Sequence, residues 1–185
     1  MHTEKSGIAS IILHGIRGII FLQAGINLKR NNMKTENQKM IDQLNNLVEI
    51  NNDRIQGYER ASNETSESDL KNLFSEMANH SRNYREELSR EVKNLGGEPT
   101  EGTRNSGKIF RVWMDIKAAL TGKDRKAIIA ACERGEDAAL ESYDDVLNAK
   151  DGLTGNLREV IVKQRTELQK DHDHIKALRD SVKIK

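Results

Sequence analysis

A chain of 185 residues is long enough for one domain with a sizeable core. Charged residues make up 32% and hydrophobic residues 36%, with a single proline, which suits long amphipathic helices with solvated outer faces. A formal net charge of +1 and an aromatic content of 4% argue against a basic or stacking surface for nucleic acid. The lone Cys132 excludes an internal disulfide, so a reducing compartment is the expectation.

The first tract, Ile8–Leu28, is the most apolar of the chain and about as long as a membrane span requires. His14, Arg17 and Gln23 interrupt it, and its glycines weaken it as a soluble helix. Three readings stay open: a start assigned too early, with Met33 the true beginning; a membrane-associated anchor; or a helix docked on the remainder. Residues 1–33 are therefore read as an extension and 34–185 as the folded domain.

The first long helix is expected from Thr35 to Ser62, with Met40, Leu44, Leu47, Val48, Asn51, Ile55, Tyr58 and Ser62 on one face. A polar turn follows, and Ser66 with Asp69 three residues on marks the next helix start. That second helix should run from about Glu67 to Leu95, burying Leu70, Leu73, Phe74, Met77, Ser81, Tyr84, Leu88, Val92 and Leu95. Leu95-Gly96-Gly97-Glu98-Pro99 ends it with a left-handed cap and a proline that cannot continue the helix.

The stretch Lys108–Leu120 puts Ile109, Val112, Trp113, Ile116 and Leu120 on one face of a shorter helix, with Trp113 read as a core anchor. The connector from Gly96 to Lys123 is too long for a turn. It suits a return along a helix of about 25 residues, roughly 40 Å at 1.5 Å per residue. Asp124 can cap the third long helix, Asp124–Asn148. Asn156 with Glu159 suggests a capping box for the fourth, whose stripe is Leu157, Ile161, Gln164, Leu168, Asp171, Ile175, Leu178 and Val182. The fold class is thus all-α: a four-helix bundle with a short helix in a long crossover, the ferritin-like connectivity.

The polar residues of these stripes collect in one layer. Glu136 lies amid Ile129, Cys132, Ala139 and Tyr143 and must find a hydrogen bond, a cation, a metal or a proton. Gln164, Asp171 and His172 come from the fourth helix, Asn51 and Tyr58 from the first, and Ser81, Tyr84 and His80 from the second. One account is a satisfied internal network in which Glu136 accepts from Tyr58, Gln164 or His172. Another is a di-iron or single-metal site on Glu136 and His172. That site needs a Glu from each of two helices and Glu-x-x-His from the other two. The supply is partial: Glu76 with His80, Asp171 with His174, Glu133 with Glu136, and Glu59. Cys132 has no neighbouring His or Cys to activate it and reads as a small packed hydrophobe.

The segments Ile50–Ala61, Leu95–Pro99, Arg111–Asp124, Cys132–Leu147 and Gln169–Asp180 resemble a bacterial family of ferritin-like four-helix-bundle proteins of unknown function. The similarity runs from about Met40 to Asp180, and Gly135-Glu136-Asp137 ahead of Tyr143 is its most specific piece. The family pattern has Asp-Gly before the Gly-Tyr of the first helix; here Arg54 follows Asp53, while Gly57-Tyr58 remains. The resemblance implies the bundle, the crossover and a cytoplasmic bacterial protein, and no activity. The paired Glu-x-x-His signatures of ferritins and rubrerythrins are missing. Three functions are weighed: a non-catalytic bundle working by association, with a stress role suggested by fold analogy alone; a degenerate metal-binding bundle or weak oxidase; and a bundle tethered to a membrane by residues 8–28. A homo-oligomer fits the first.

Overall fold

The computed structural model describes the backbone of residues 4–103, 108–122, 124–150 and 153–182, with side chains from residue 25 onward except 108–110 and 113. Five helices account for the regular structure: α1 (Glu4–Glu64), α2 (Ser68–Asn94), α3 (Lys108–Gly122), α4 (Arg125–Leu147) and α5 (Gly155–Ser181). No strand occurs among the described residues, so the chain is all-α. It divides into two compact units, Met1–Lys39 and Met40–Lys185.

In the first unit α1 does not begin at Thr35, as the sequence predicts, but at Glu4. The physical reason is that nothing between Gly25 and Gly57 breaks a helix: the stretch has no glycine or proline inside it. Thr35 does not cap; its hydroxyl donates back to the Asn31 carbonyl at 3.0 Å, one turn earlier. Between Gly25 and Lys39 the side chains are exposed or partly exposed, Ile26, Leu28 and Met33 among them. The anchor reading falls mostly on residues 8–24, whose side chains lie outside the described set. Among the described residues no helix is long and apolar enough to cross a membrane.

The second unit is held by α1 from Met40 onward with α2, α4 and α5. Arg54 of α1 meets Ser81 of α2, and further along Ser62 meets Ser75, so the two helices are antiparallel. The pairs Asn51–Tyr143 and Tyr58–Glu136 make α1 antiparallel to α4. Tyr143–Gln164 and Glu133–Arg179 do the same for α4 and α5, as do Glu87–Gln164 and His80–Asp171 for α2 and α5. Helices α2 and α4 therefore point the same way, and the chain between them must travel back the length of the helices. Its first part is pinned along α1. Asn45 donates to the Glu98 carbonyl at 3.0 Å and accepts from the Thr100 N–H at 3.0 Å; two turns on, Asn52 donates to the Gly102 carbonyl at 2.9 Å.

The end of α2 is as its glycines dictate. Gly96 takes φ +82°, the Gly97 N–H reaches the Val92 carbonyl at 2.9 Å, and the Gly96 N–H reaches Lys93 at 2.9 Å. This is a Schellman cap. Gly97 also lets α1 approach: a Cβ there would lie 2.8 Å from Ile41 Cγ2. Asp124 caps α4 by accepting from the Ala127 N–H at 3.0 Å. Two other expected caps are corrected. The residue before α2 is Glu67, not Ser66, and it makes no side-chain cap. Helix α5 starts behind Thr154, which places Asn156 inside it; a glycine at φ +58°, Gly155, sets that start.

Two apolar clusters fill the interior. Tyr58, Phe74, Met77, Ile116, Ile129 and Ile175 belong to one, and Leu44, Leu47, Leu88, Val92, Tyr143 and Leu168 to the other. Val112 and Ile116 bury the inner face of α3; Trp113 lies outside the described side chains. On α1, α2 and α4 the residues of the two clusters flank a short polar stretch: Asn51 and Arg54, Ser81, and Glu136. On α5 Asp171 lies between the clusters, at Leu168 and Ile175, while Gln164 sits inside the second, between Ile161 and Leu168.

Candidate functional site

Glu136 stands at the centre of this layer with no solvent exposure. Its neighbours at helical spacing, Ile129, Cys132, Ala139 and Tyr143, are all buried, so the carboxylate is carried inward by the face that drives α4 into the core. Both of its oxygens are engaged. Oε2 accepts from Arg54 Nη1 at 2.5 Å, and Oε1 accepts from the Tyr58 hydroxyl. Arg54 and Tyr58 are four residues apart on α1 and so reach the same place from successive turns. The Arg54 side chain is 2% exposed. Its Nε donates to Ser81 Oγ at 3.0 Å, whose own hydrogen goes to the Met77 carbonyl at 2.8 Å. The guanidinium carbon lies 5.6 Å from the centroid of the Tyr58 ring, within reach of a cation–π attraction. Nη2 of Arg54 has no hydrogen-bond partner among the described residues.

The electrostatics follow from burial and from this pair. Burial, the largest single effect, disfavours the Arg54 charge, but the Glu136 carboxylate together with Tyr58 and Asp171 outweighs it and holds the guanidinium pKa above its ordinary value. Burial first, then the negative charge of Glu136, raises the Tyr58 phenol well above its usual range. Burial does the same to the Cys132 thiol, with Glu136 adding to it, so this cysteine is an inert packed group.

A second chain of hydrogen bonds lies one turn further along. Asn51 donates to the Tyr143 hydroxyl at 2.9 Å, Tyr143 donates to Gln164 Oε1 at 2.9 Å, and Gln164 donates to Glu87 at 2.8 Å. The four residues come from α1, α4, α5 and α2 in turn, so the string crosses the whole interior. Burial raises the Tyr143 phenol as well.

The structure thus brings together Glu136 and Tyr58 in one group, and Tyr143 and Gln164 in the next. It does not join His172 to either. That ring sits between Asp137 of α4, at 3.1 Å, and Asp173, at 3.0 Å. Of the three partners expected for Glu136, Tyr58 is one, while Gln164 and His172 are not; the other position facing the carboxylate also belongs to α1, and Arg54 fills it. Of the other residues weighed as ligands, Glu133 pairs with Arg179, Glu59 with Arg82, and His80 with Asp171 at 3.0 Å, while Glu76 and His174 face solvent. No group of three or more His, Cys, Asp or Glu side chains is placed to hold a metal ion among the described residues.

Arg54, which holds the buried carboxylate, is missing from the stripe expected for the first helix. It had a signal: Arg54 lies three residues after Asn51 and four before Tyr58, on the same face. Residues 39–149 match the profile of a domain of unknown function (DUF2383). The match covers more than half of the chain. The protein belongs to the DUF2383 family. The matched segment holds Arg54, Tyr58, Ser81, Glu136 and Tyr143, and it ends before α5, which supplies Gln164 and Asp171. No curated protein matches the chain.

Proposed function

We propose that this DUF2383 protein is a non-catalytic four-helix bundle of ferritin-like connectivity, which works in the cytoplasm by association with other copies or partners. The helix directions and the long return between α2 and α4 support the bundle. One observation carries the functional reading: both oxygens of the buried Glu136 are taken by Arg54 and Tyr58. A general acid or base must reach a substrate proton, and this carboxylate is fully enclosed. A metal at Glu136 would have to displace a hydrogen bond and sit beside a buried positive charge, so the residues present do not fit one. The layer is a self-neutralised network that fixes how the helices meet.

A metal inventory of protein purified without chelator tests this reading. Iron, manganese and zinc are expected well below one equivalent. Stoichiometric metal that is lost in Glu136→Ala would overturn it. Sedimentation of the full chain then reports the association, and a monomer that captures no partner at physiological concentration would remove the role proposed for it.

A further inference from the structure

We propose that Glu136, Tyr58 and Ser81 form a recognition site for a guanidinium cation, which the chain fills with its own Arg54. The inference rests on the reading above that the charge of the polar layer is neutralised by the chain's own residues.

Three features on separate sides define the site. The Glu136 carboxylate, from α4, accepts from Nη1 at 2.5 Å. The Ser81 hydroxyl, from α2, accepts from Nε at 3.0 Å, and it is free to accept because its hydrogen is committed to the Met77 carbonyl. The Tyr58 ring lies 5.6 Å from the guanidinium carbon. Tyr58 acts twice, since its hydroxyl also holds the second oxygen of Glu136 and so turns the first toward the cation. Two acceptors on diverging directions with an aromatic ring nearby suit a planar cation with several N–H donors. An ammonium is a compact point charge without the planar fork of spaced N–H donors, so it matches these two acceptors and the ring less well. Nη2 has no hydrogen-bond partner among the described residues, so the recognition seen there runs through Nε, Nη1 and the ring. A small free guanidinium presents those same features without the tether to α1.

The test is chemical rescue. In Arg54→Ala the side chain that fills the site is removed, and the melting temperature is expected to fall by roughly 10 °C, as for one partner taken from a buried ion pair. Methylguanidinium at millimolar concentration, far below denaturing levels, should restore at least half of that fall along a saturable curve. Methylurea, of the same shape without charge, should restore none, and methylammonium less. The double variant Arg54→Ala with Glu136→Gln should not respond. An unsaturable effect, equal rescue by methylurea, or rescue in the double variant would each overturn the proposal. If Arg54→Ala is unfolded alone, the same titration followed by far-UV circular dichroism should recover helix, and failure to do so overturns the proposal. Metal found in the wild-type chain would sink the functional reading; absent rescue in a metal-free protein sinks only this inference.

Discussion

Arg54 and Glu136 lie 82 positions apart in the chain and meet at 2.5 Å in the interior, on antiparallel helices and with almost no solvent contact. An ion pair in such surroundings loses much of its attraction to the cost of desolvating both charges, so its value is in specificity more than in stability. It demands one register between α1 and α4, because sliding either helix by a turn would bury two unpaired charges.

Breaking the pair from one side should therefore cost far more than removing it whole. Glu136→Leu leaves Arg54 buried and uncompensated, and a loss of about 3–5 kcal/mol is expected. Glu136→Gln keeps an acceptor for Arg54 and should be tolerated better. Combining Glu136→Leu with Arg54→Met should recover most of the loss. Denaturant unfolding of these proteins, with Arg54→Met alone completing the double-mutant cycle, gives the coupling; equal stability of the Gln and Leu variants would mean that Arg54 does not depend on this carboxylate.

How much of this was legible beforehand depends on what each feature needs. The end of α2 needs only local chemistry, so Gly96, Gly97 and Pro99 mark it in the sequence and it lies where they put it. Asp124 is legible for the same reason. The starts of α2 and α5 are not, because several residues in each linker could cap and the backbone places residues that make no side-chain cap at the N-terminal position: Glu67 rather than Ser66, Thr154 rather than Asn156. The burial of Glu136 follows from its apolar neighbours. Its partner does not, since periodicity shows which face is buried and not which residue of another helix arrives opposite. An arginine on an apolar stripe is also easily discounted, although a carboxylate on a facing stripe is what makes it tenable. The roles of Asn45 and Asn52 were hidden because they hold an irregular segment with no period of its own.

The clamp on that segment can be loosened without touching the core. Asn52→Ala removes the donor to the Gly102 carbonyl, and Asn45→Ala removes both bonds to Glu98 and Thr100. Each is expected to lower stability by about 1 kcal/mol per lost hydrogen bond. Cleavage by protease between residues 98 and 107 should rise several-fold while helix content stays unchanged. If the double variant is cut no faster than the wild type, the crossover is held by something else.

Tyr143 offers a separate probe of the second string. Tyr143→Phe keeps the ring in the apolar cluster but removes the acceptor for Asn51 and the donor to Gln164. A cost of about 1–3 kcal/mol is expected for the buried groups left unsatisfied. Gln164→Leu in the same background should recover part of it, because one of the two stranded amides is then gone. Thermal melts of these two variants and the wild type decide this, and a neutral Tyr143→Phe would show that the hydroxyl contributes no net stability.

All three tyrosines of the chain, Tyr58, Tyr84 and Tyr143, have phenols raised above the usual value near 10. Burial is the first cause in each; Glu136 adds to it at Tyr58 and Asp171 at Tyr84. A group whose folded pKa is raised contributes stability in full below its unfolded pKa, and that contribution is lost as pH rises toward the folded value. The unfolded chain ionises its phenols first, so stability should decline above about pH 10. Absorbance near 295 nm should then stay flat through pH 10 in the native protein. Tyrosinate should appear in one cooperative step together with the loss of helical circular dichroism. A smooth titration centred near pH 10, with the helices intact, would mean that the phenols are open to solvent and that the polar layer is not closed.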